Sequence, residues 1–200
     1  FNLMKAIVNK FKMCFPMLET VWTLQQFHPQ EAMEKALGAR NLEMVRILGS
    51  NRAIFPPNAC NLLADFGNRE CLQLAHNSGI AVTIEDFCMA GRANNVESLK
   101  YLHDVNCPCD VFVLRAIAVA GSRECFQFAL NNNFPGFQNL NVCQVVRFGL
   151  DMVRAAHQRG SSLRGTLCAA ACSNSLDCMQ YALEHGEVWG PEVDFSAARY

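Results

Sequence analysis

Six tetrapeptides recur along this chain at nearly fixed spacing: Leu42-Glu43-Met44-Val45, Arg69-Glu70-Cys71-Leu72, Val96-Glu97-Ser98-Leu99, Arg123-Glu124-Cys125-Phe126, Leu150-Asp151-Met152-Val153 and Leu176-Asp177-Cys178-Met179. Their acidic residues stand 27, 27, 27, 27 and 26 residues apart, and Leu18-Glu19-Thr20-Val21 lies 24 residues before the first. A period held through so many steps restricts the chain to an array of one supersecondary unit, because no single-core fold asks for such regularity.

The register extends beyond the tetrapeptide. Counting from the acidic anchor, offsets 1 and 2 are mostly apolar or small, offset 3 is always polar (Arg46, Gln73, Lys100, Gln127, Arg154, Gln180), and apolar or small residues follow. That spacing predicts a helix with one broad buried face. The anchor falls in its first turn, where a carboxylate suits the positive end of the macrodipole. A second apolar stretch precedes each anchor, clearest in Val111 to Ala120. Gly67, Asn94, Gly121 and Asn174, three residues before their anchors, predict left-handed turns that end this first helix. The second helix is predicted to end near Gly79, Asn106, Asn133, Gly160 or Gly186.

Each unit therefore reads as helix, turn, helix. Helices of about ten residues cannot bury their apolar faces alone, so the units must stack. The expectation is an all-α solenoid forming a single array over 1–200, with units at about 1–28, 29–55, 56–82, 83–109, 110–136, 137–162 and 163–189 and the start of a further unit at 190–200. The unit at 137–162 is the least regular: Asn141 and Gln144 occupy phases that are mostly apolar elsewhere, and Phe148 stands where the turn residue belongs. A bend or a slipped helix is expected at 139–149.

The pattern resembles the ankyrin repeat, most closely in Ala39-Arg40-Asn41-Leu42-Glu43-Met44-Val45-Arg46-Ile47-Leu48 and Ala93-Asn94-Asn95-Val96-Glu97-Ser98-Leu99-Lys100-Tyr101-Leu102. The period is shorter than the family's roughly 33 residues, the Thr-Pro-Leu-His opening is missing, and the linkers are too short for a full β-hairpin. The junction Tyr101-Leu102-His103-Asp104-Val105-Asn106-Cys107-Pro108-Cys109-Asp110 is similar to that of a short, divergent ankyrin-like class. The resemblance implies a non-catalytic module that binds other proteins through the concave face formed by first helices and inter-unit loops. The outward positions it implies, four and five residues before the anchors, are Asp65, Phe66, Arg92, Val119, Arg147 and Ser173. Phe134 and Phe137, around a Pro-Gly turn, are either further contact residues in an exposed loop or groove-filling packing.

Repeat phase also weighs the candidate chemistry. Cys71, Cys125 and Cys178 share one phase and Cys88 and Cys168 another, as packing residues do. Cys107-Pro108-Cys109 and the pair Cys168 and Cys172 lack the further ligands of a zinc site. His76, His103 and His157 recur six residues after the anchor, where an imidazole can serve the last turn of a helix. No catalytic, cofactor-binding or metal-binding group is expected, so a thiol- or metal-dependent enzyme is the weakest alternative.

Composition limits the partners. Seventeen Lys and Arg against 18 Asp and Glu give a net charge of -1, with no basic excess for nucleic acid. No uncharged apolar run reaches the roughly 18 residues of a membrane span. Eleven cysteines, an odd number, argue against a disulfide framework, and no Asn-x-Ser/Thr acceptor occurs. An intracellular, reducing compartment is expected, the cytoplasm by default, with an organelle left open. The chain starts at Phe1 without a signal-like triplet, so a targeting segment is expected to be absent or to lie outside this stretch. Only 18% of residues are charged, against about 25% in ordinary domains. That deficit, together with a last unit that stops after its first helix, suggests surface covered by a partner, and makes an architectural subunit of a large assembly the chief alternative to a recruiting module.

Overall fold

The computed structural model describes residues 29–190. The expected unit at 1–28 and the start of a further unit at 190–200, apart from Gly190, lie outside the described residues. The chain divides into two compact units between Val82 and Thr83, at one of the expected repeat boundaries. Among the described residues the structure is all-helical, with one isolated β-bridge, between Asn141 and Ser162.

The first unit holds α1 (Pro29–Gly38), α2 (Leu42–Ser50), α3 (Ala59–Phe66) and α4 (Arg69–Asn77). Within each pair the helices pack together, and α1 also meets α3 as α2 meets α4. The second unit holds α5 (Ile84–Arg92), α6 (Val96–Asp104), α7 (Val111–Ala120), α8 (Arg123–Asn131), α9 (Leu150–Gln158), α10 (Thr166–Cys172) and α11 (Leu176–Glu184). Here α5 packs on α7, and the second helices run α6 on α8, α8 on α9 and α9 on α11. First helices thus stack on first helices and second on second.

Burial follows the phases. Cys71, Ser98, Cys125, Met152 and Cys178, one residue after the anchors, are buried, as are Val45, Leu72, Leu99, Phe126 and Val153 at the next position. The polar offset-3 residue stays toward water, and two of them pair back to the anchor: Arg46 Nη2 with Glu43 at 2.9 Å and Lys100 Nζ with Glu97 at 2.8 Å.

The second helices share the same two ends. Two residues before the anchor, Asn41, Asn68, Asn95 and Ser122 accept a hydrogen bond from the backbone N–H three residues on, capping the N-terminus. Nine residues after the anchor the chain is left-handed at every described repeat: Arg52, Gly79, Asn106, Asn133, Gly160 and Gly186 all have φ between 51° and 94°. The left-handed turn three residues before the anchor is present at Arg40, Asn94, Gly121 and Asn174. It is not present at Gly67, whose φ is -77°. There the glycine answers a steric need, since a Cβ would lie 2.4 Å from the Leu63 carbonyl oxygen.

The irregular repeat departs from the pattern further than a bend. In place of a first helix, residues 137–148 form three short 3-10 turns, Phe137–Asn139, Val142–Gln144 and Val146–Phe148. Gly136 precedes them at φ 100°, and the segment mixes Asn with β-branched valines, all poor helix formers. Asn141 turns its side chain to the Cys143 N–H, 3.1 Å away. The segment still fills the first-helix layer: α10 packs on its last two turns, and Leu140, Val142, Val145 and Val146 are buried. It is tied to the next linker by Ser161 Oγ donating to the Phe137 carbonyl at 2.7 Å and the Val142 N–H donating to Ser162 O at 2.9 Å. Gly149 at φ 100° takes the turn that Phe148 cannot make.

Candidate interaction surface

The outward positions divide by unit. In the first unit Asp65 and Phe66 are half-buried and engaged by Arg40, which pairs with the Asp65 carboxylate at 2.9 Å and lies 5.2 Å from the centre of the Phe66 ring. In the second unit Arg92, Val119, Arg147 and Ser173 are all exposed.

On α7 the exposed residues are Phe112, Arg115 and Val119, with Phe112 and Val119 each 61% exposed. Their i, i+3, i+7 spacing makes them one stripe on the helix. Val119 stands at a phase the repeat marks as outward, whereas Phe112 and Arg115 do not. Phe112 lies between Val111 and Val113, so it reads as core by composition; its phase, twelve residues before the anchor, was the available signal, since Glu85 occupies the same phase on α5 and is also exposed.

Arg147 joins this stripe to its neighbour. Its Nη2 donates to the carbonyls of Ala118 at 2.6 Å and Val119 at 2.8 Å, closing the C-terminus of α7, where a cation also meets the negative end of the helix. Its guanidinium lies over Phe148, 5.4 Å from the ring centre. On its other side it lines a groove of about 480 Å³ with Val146, Gly149, Ser173, Asn174, Ser175, Leu176 and Asp177. Arg147 and Ser173, predicted separately, therefore share one depression, and Leu176, 74% exposed, stands beside them.

Charge on this layer is one-sided for a structural reason. Several of its carboxylates are engaged at helix N-termini: Asp86 accepts from the Thr83 N–H at 2.7 Å, Asp110 from the Phe112 N–H at 2.9 Å, and Glu187 from the N–H groups of Thr166 at 3.1 Å and Leu167 at 2.9 Å. Arg92, Arg115 and Arg147 form no ion pair among the described residues. Arg123, by contrast, bonds the Phe148 carbonyl and the Asp151 carboxylate, and Arg159 Nη2 closes the end of α8 at Leu130 O, 3.0 Å away.

Phe134 and Phe137 belong to the core and offer no contact surface, being 5% and 4% exposed. Phe134 sits edge-on to Phe87, Phe128 and the His103 ring, with centroids 5.4, 5.8 and 5.8 Å apart, and Phe137 meets Phe126 at 6.1 Å. Phe134 stands one residue after the left-handed Asn133, a phase at which Ala53, Cys107 and Ser161 are buried as well.

His76, His103 and His157 lie in the last turns of their helices, as their phase predicts. His103 joins the aromatic cluster, and His157 Nδ1 lies 2.9 Å from the Tyr181 hydroxyl. The off-phase His185 is the one whose Nδ1 lies 2.8 Å from a last-turn carbonyl, that of Tyr181.

The ten cysteines among the described residues are free thiols. Burial pushes Cys107 and Cys109 up to about 12 and Cys71 up to about 11, with nearby carboxylates adding to the effect. Cys107 Sγ donates to the Thr83 carbonyl at 3.2 Å. Such thiols stay protonated near neutral pH and lack the thiolate that nucleophilic or redox work uses. Among the described residues no three His, Cys, Asp or Glu side chains gather in a way that could hold a metal ion, and no helix is long and apolar enough to cross a membrane. Comparison of the chain with protein-family models, with curated proteins and with solved structures finds no match in any of the three.

Proposed function

We propose that this chain is a non-catalytic protein-interaction module, a solenoid of short ankyrin-like helix pairs that holds a partner protein on its exposed first-helix side. The observation that carries this reading is the stripe Phe112, Arg115, Val119: two large apolar side chains left in water on a helix whose opposite face is fully packed. Large apolar residues clustered on an outer face mark binding surfaces more often than isolated ones do. The raised thiols of Cys71, Cys107 and Cys109 favour a packing role for these three, and the free state of the described cysteines fits a reducing, intracellular compartment.

The test is affinity purification of the tagged full-length chain beside a Phe112→Asp/Val119→Asp variant, with identification of co-purifying proteins. Both positions are exposed, so the variant is expected to fold with an unchanged melting curve and to lose the partners. An identical set of partners on both proteins refutes the assigned face. The low charge favours a second reading, a fixed subunit of a large assembly; such a subunit aggregates when expressed alone, whereas a recruiter runs as a single species.

A further inference from the structure

We infer that the surface running from α7 across Arg147 into the adjoining groove docks an acidic peptide segment carrying apolar side chains. This rests on the interaction-module reading and specifies the chemistry of its partner.

Geometry makes the surface continuous. Phe112 and Val119 are seven residues apart on one helix face, about 10 Å along the axis. Arg147 is bonded to the Val119 carbonyl, and the same Arg147 forms one wall of the groove in which Leu176 is exposed. An apolar residue thus lies on either side of a guanidinium whose position is fixed by two backbone carbonyls. Those bonds use only Nη2. Both bidentate edges of a guanidinium include Nη2, so what Arg147 still offers is its positive charge and the single donors Nε and Nη1, which lie beside Gly121.

Charge complementarity selects the occupant. Arg115 on the stripe and Arg92 at the Val119 phase of the adjacent α5 are likewise without ion pairs among the described residues, while Asp86 and Asp110 are occupied as helix caps. Glu85 is the exposed carboxylate on α5. Asp177, the carboxylate of the groove, lies in the first turn of α11, where the positive helix end offsets it. What remains is a basic, apolar strip, and its complement is a segment alternating carboxylates with apolar side chains. A basic segment would meet three arginines against two exposed carboxylates, Glu85 and Asp177.

The full-length chain is titrated against a fluorescein-labelled peptide of alternating Glu and Leu, about ten residues long and so able to span the strip when extended at ~3.3 Å per residue. Parallel titrations use the Lys-Leu counterpart. Saturable anisotropy change is expected for Glu-Leu alone, weakening as salt is raised. An Arg115→Glu/Val119→Glu variant is expected to weaken it by about tenfold or more, as loss of a central contact does, with an unchanged melting curve because neither side chain makes an internal polar contact. Leu176→Glu is expected to do the same from the groove side. Equal binding of both peptides, no binding of Glu-Leu, or Glu-Leu binding that survives these variants overturns the inference. Selective Lys-Leu binding lost in the same variants also overturns it, yet leaves the interaction face standing. Failure of the broader reading shows instead as unchanged partner capture by Phe112→Asp/Val119→Asp.

Discussion

The Arg147 guanidinium donates to the backbone carbonyl of Val119, 28 residues earlier in the chain, at 2.8 Å. One arginine thereby closes a helix in the preceding repeat and borders the groove of its own. Arg159 does the same for α8 at Leu130. The first bond lies in the first-helix layer and the second joins two second helices.

Arg147→Ala and Arg159→Ala are each expected to lower stability by about 1 kcal/mol, the scale of a cation at a helix C-terminus reduced by solvent exposure. Arg115→Ala, which removes no internal contact, is expected to stay within about 0.5 kcal/mol of the parent. Urea midpoints at constant slope measure all three.

Phe134→Ala is expected to cost about 3 to 5 kcal/mol, the loss of a buried aromatic ring, and Phe134→Leu about 1.5 kcal/mol or less. A contact residue in an exposed loop would give almost no change in thermal unfolding, so the size of the effect separates the two roles.

Stability is expected to fall at alkaline pH through Cys107 and Cys109. Their folded values, about 12, lie above the ordinary 9.0. Raised thiols favour the protonated native state, so their contribution is complete below pH 9, where both states hold the proton. It is lost as pH rises through the range from 9 toward 12, where the unfolded chain binds fewer protons than the native one. Cys107→Ser/Cys109→Ser is expected to flatten that decline relative to the parent while the hydroxyl at position 107 keeps a donor for the Thr83 carbonyl. Guanidinium titrations at a series of pH values give the two slopes.

Two backbone positions are expected to respond in opposite directions. Gly67→Ala drives a Cβ toward the Leu63 carbonyl and is expected to destabilise by about 1 to 3 kcal/mol. Arg52→Gly relieves a left-handed residue at φ 61° and is expected to stabilise by up to about 1 kcal/mol. Differential scanning calorimetry of the two variants beside the parent decides both signs.

Much of the local architecture was legible because packing and turn chemistry repeat. The buried offsets after each anchor and the closing turn nine residues later were visible in residue types such as Leu, Cys, Gly and Asn. The irregularity near 139–149 was visible too, though not that three 3-10 turns would stand there, since a run of valines gives burial without specifying winding. Gly67 misled because glycine answers two different needs, a positive φ and a close approach, and sequence does not separate them. The N-caps at Asn41, Asn68, Asn95 and Ser122 were present in the same register but hidden beside the turn residues. Phe134 and Phe137 turn inward onto Phe87, His103, Phe128 and Phe126, partners that only the three-dimensional packing brings together. Arg147's bond to Val119 was out of reach for the same reason.

Among the described residues all six second helices are nine residues long, from Leu42–Ser50 to Leu176–Glu184, while their first-layer counterparts run from ten residues to none. One layer is a ruler and the other is a page. Between Glu124 and Asp151 the first layer loses its helix while the anchors stay 27 residues apart, so this layer accommodates a change of winding at constant length. The second layer keeps one length and one closing turn throughout the described repeats.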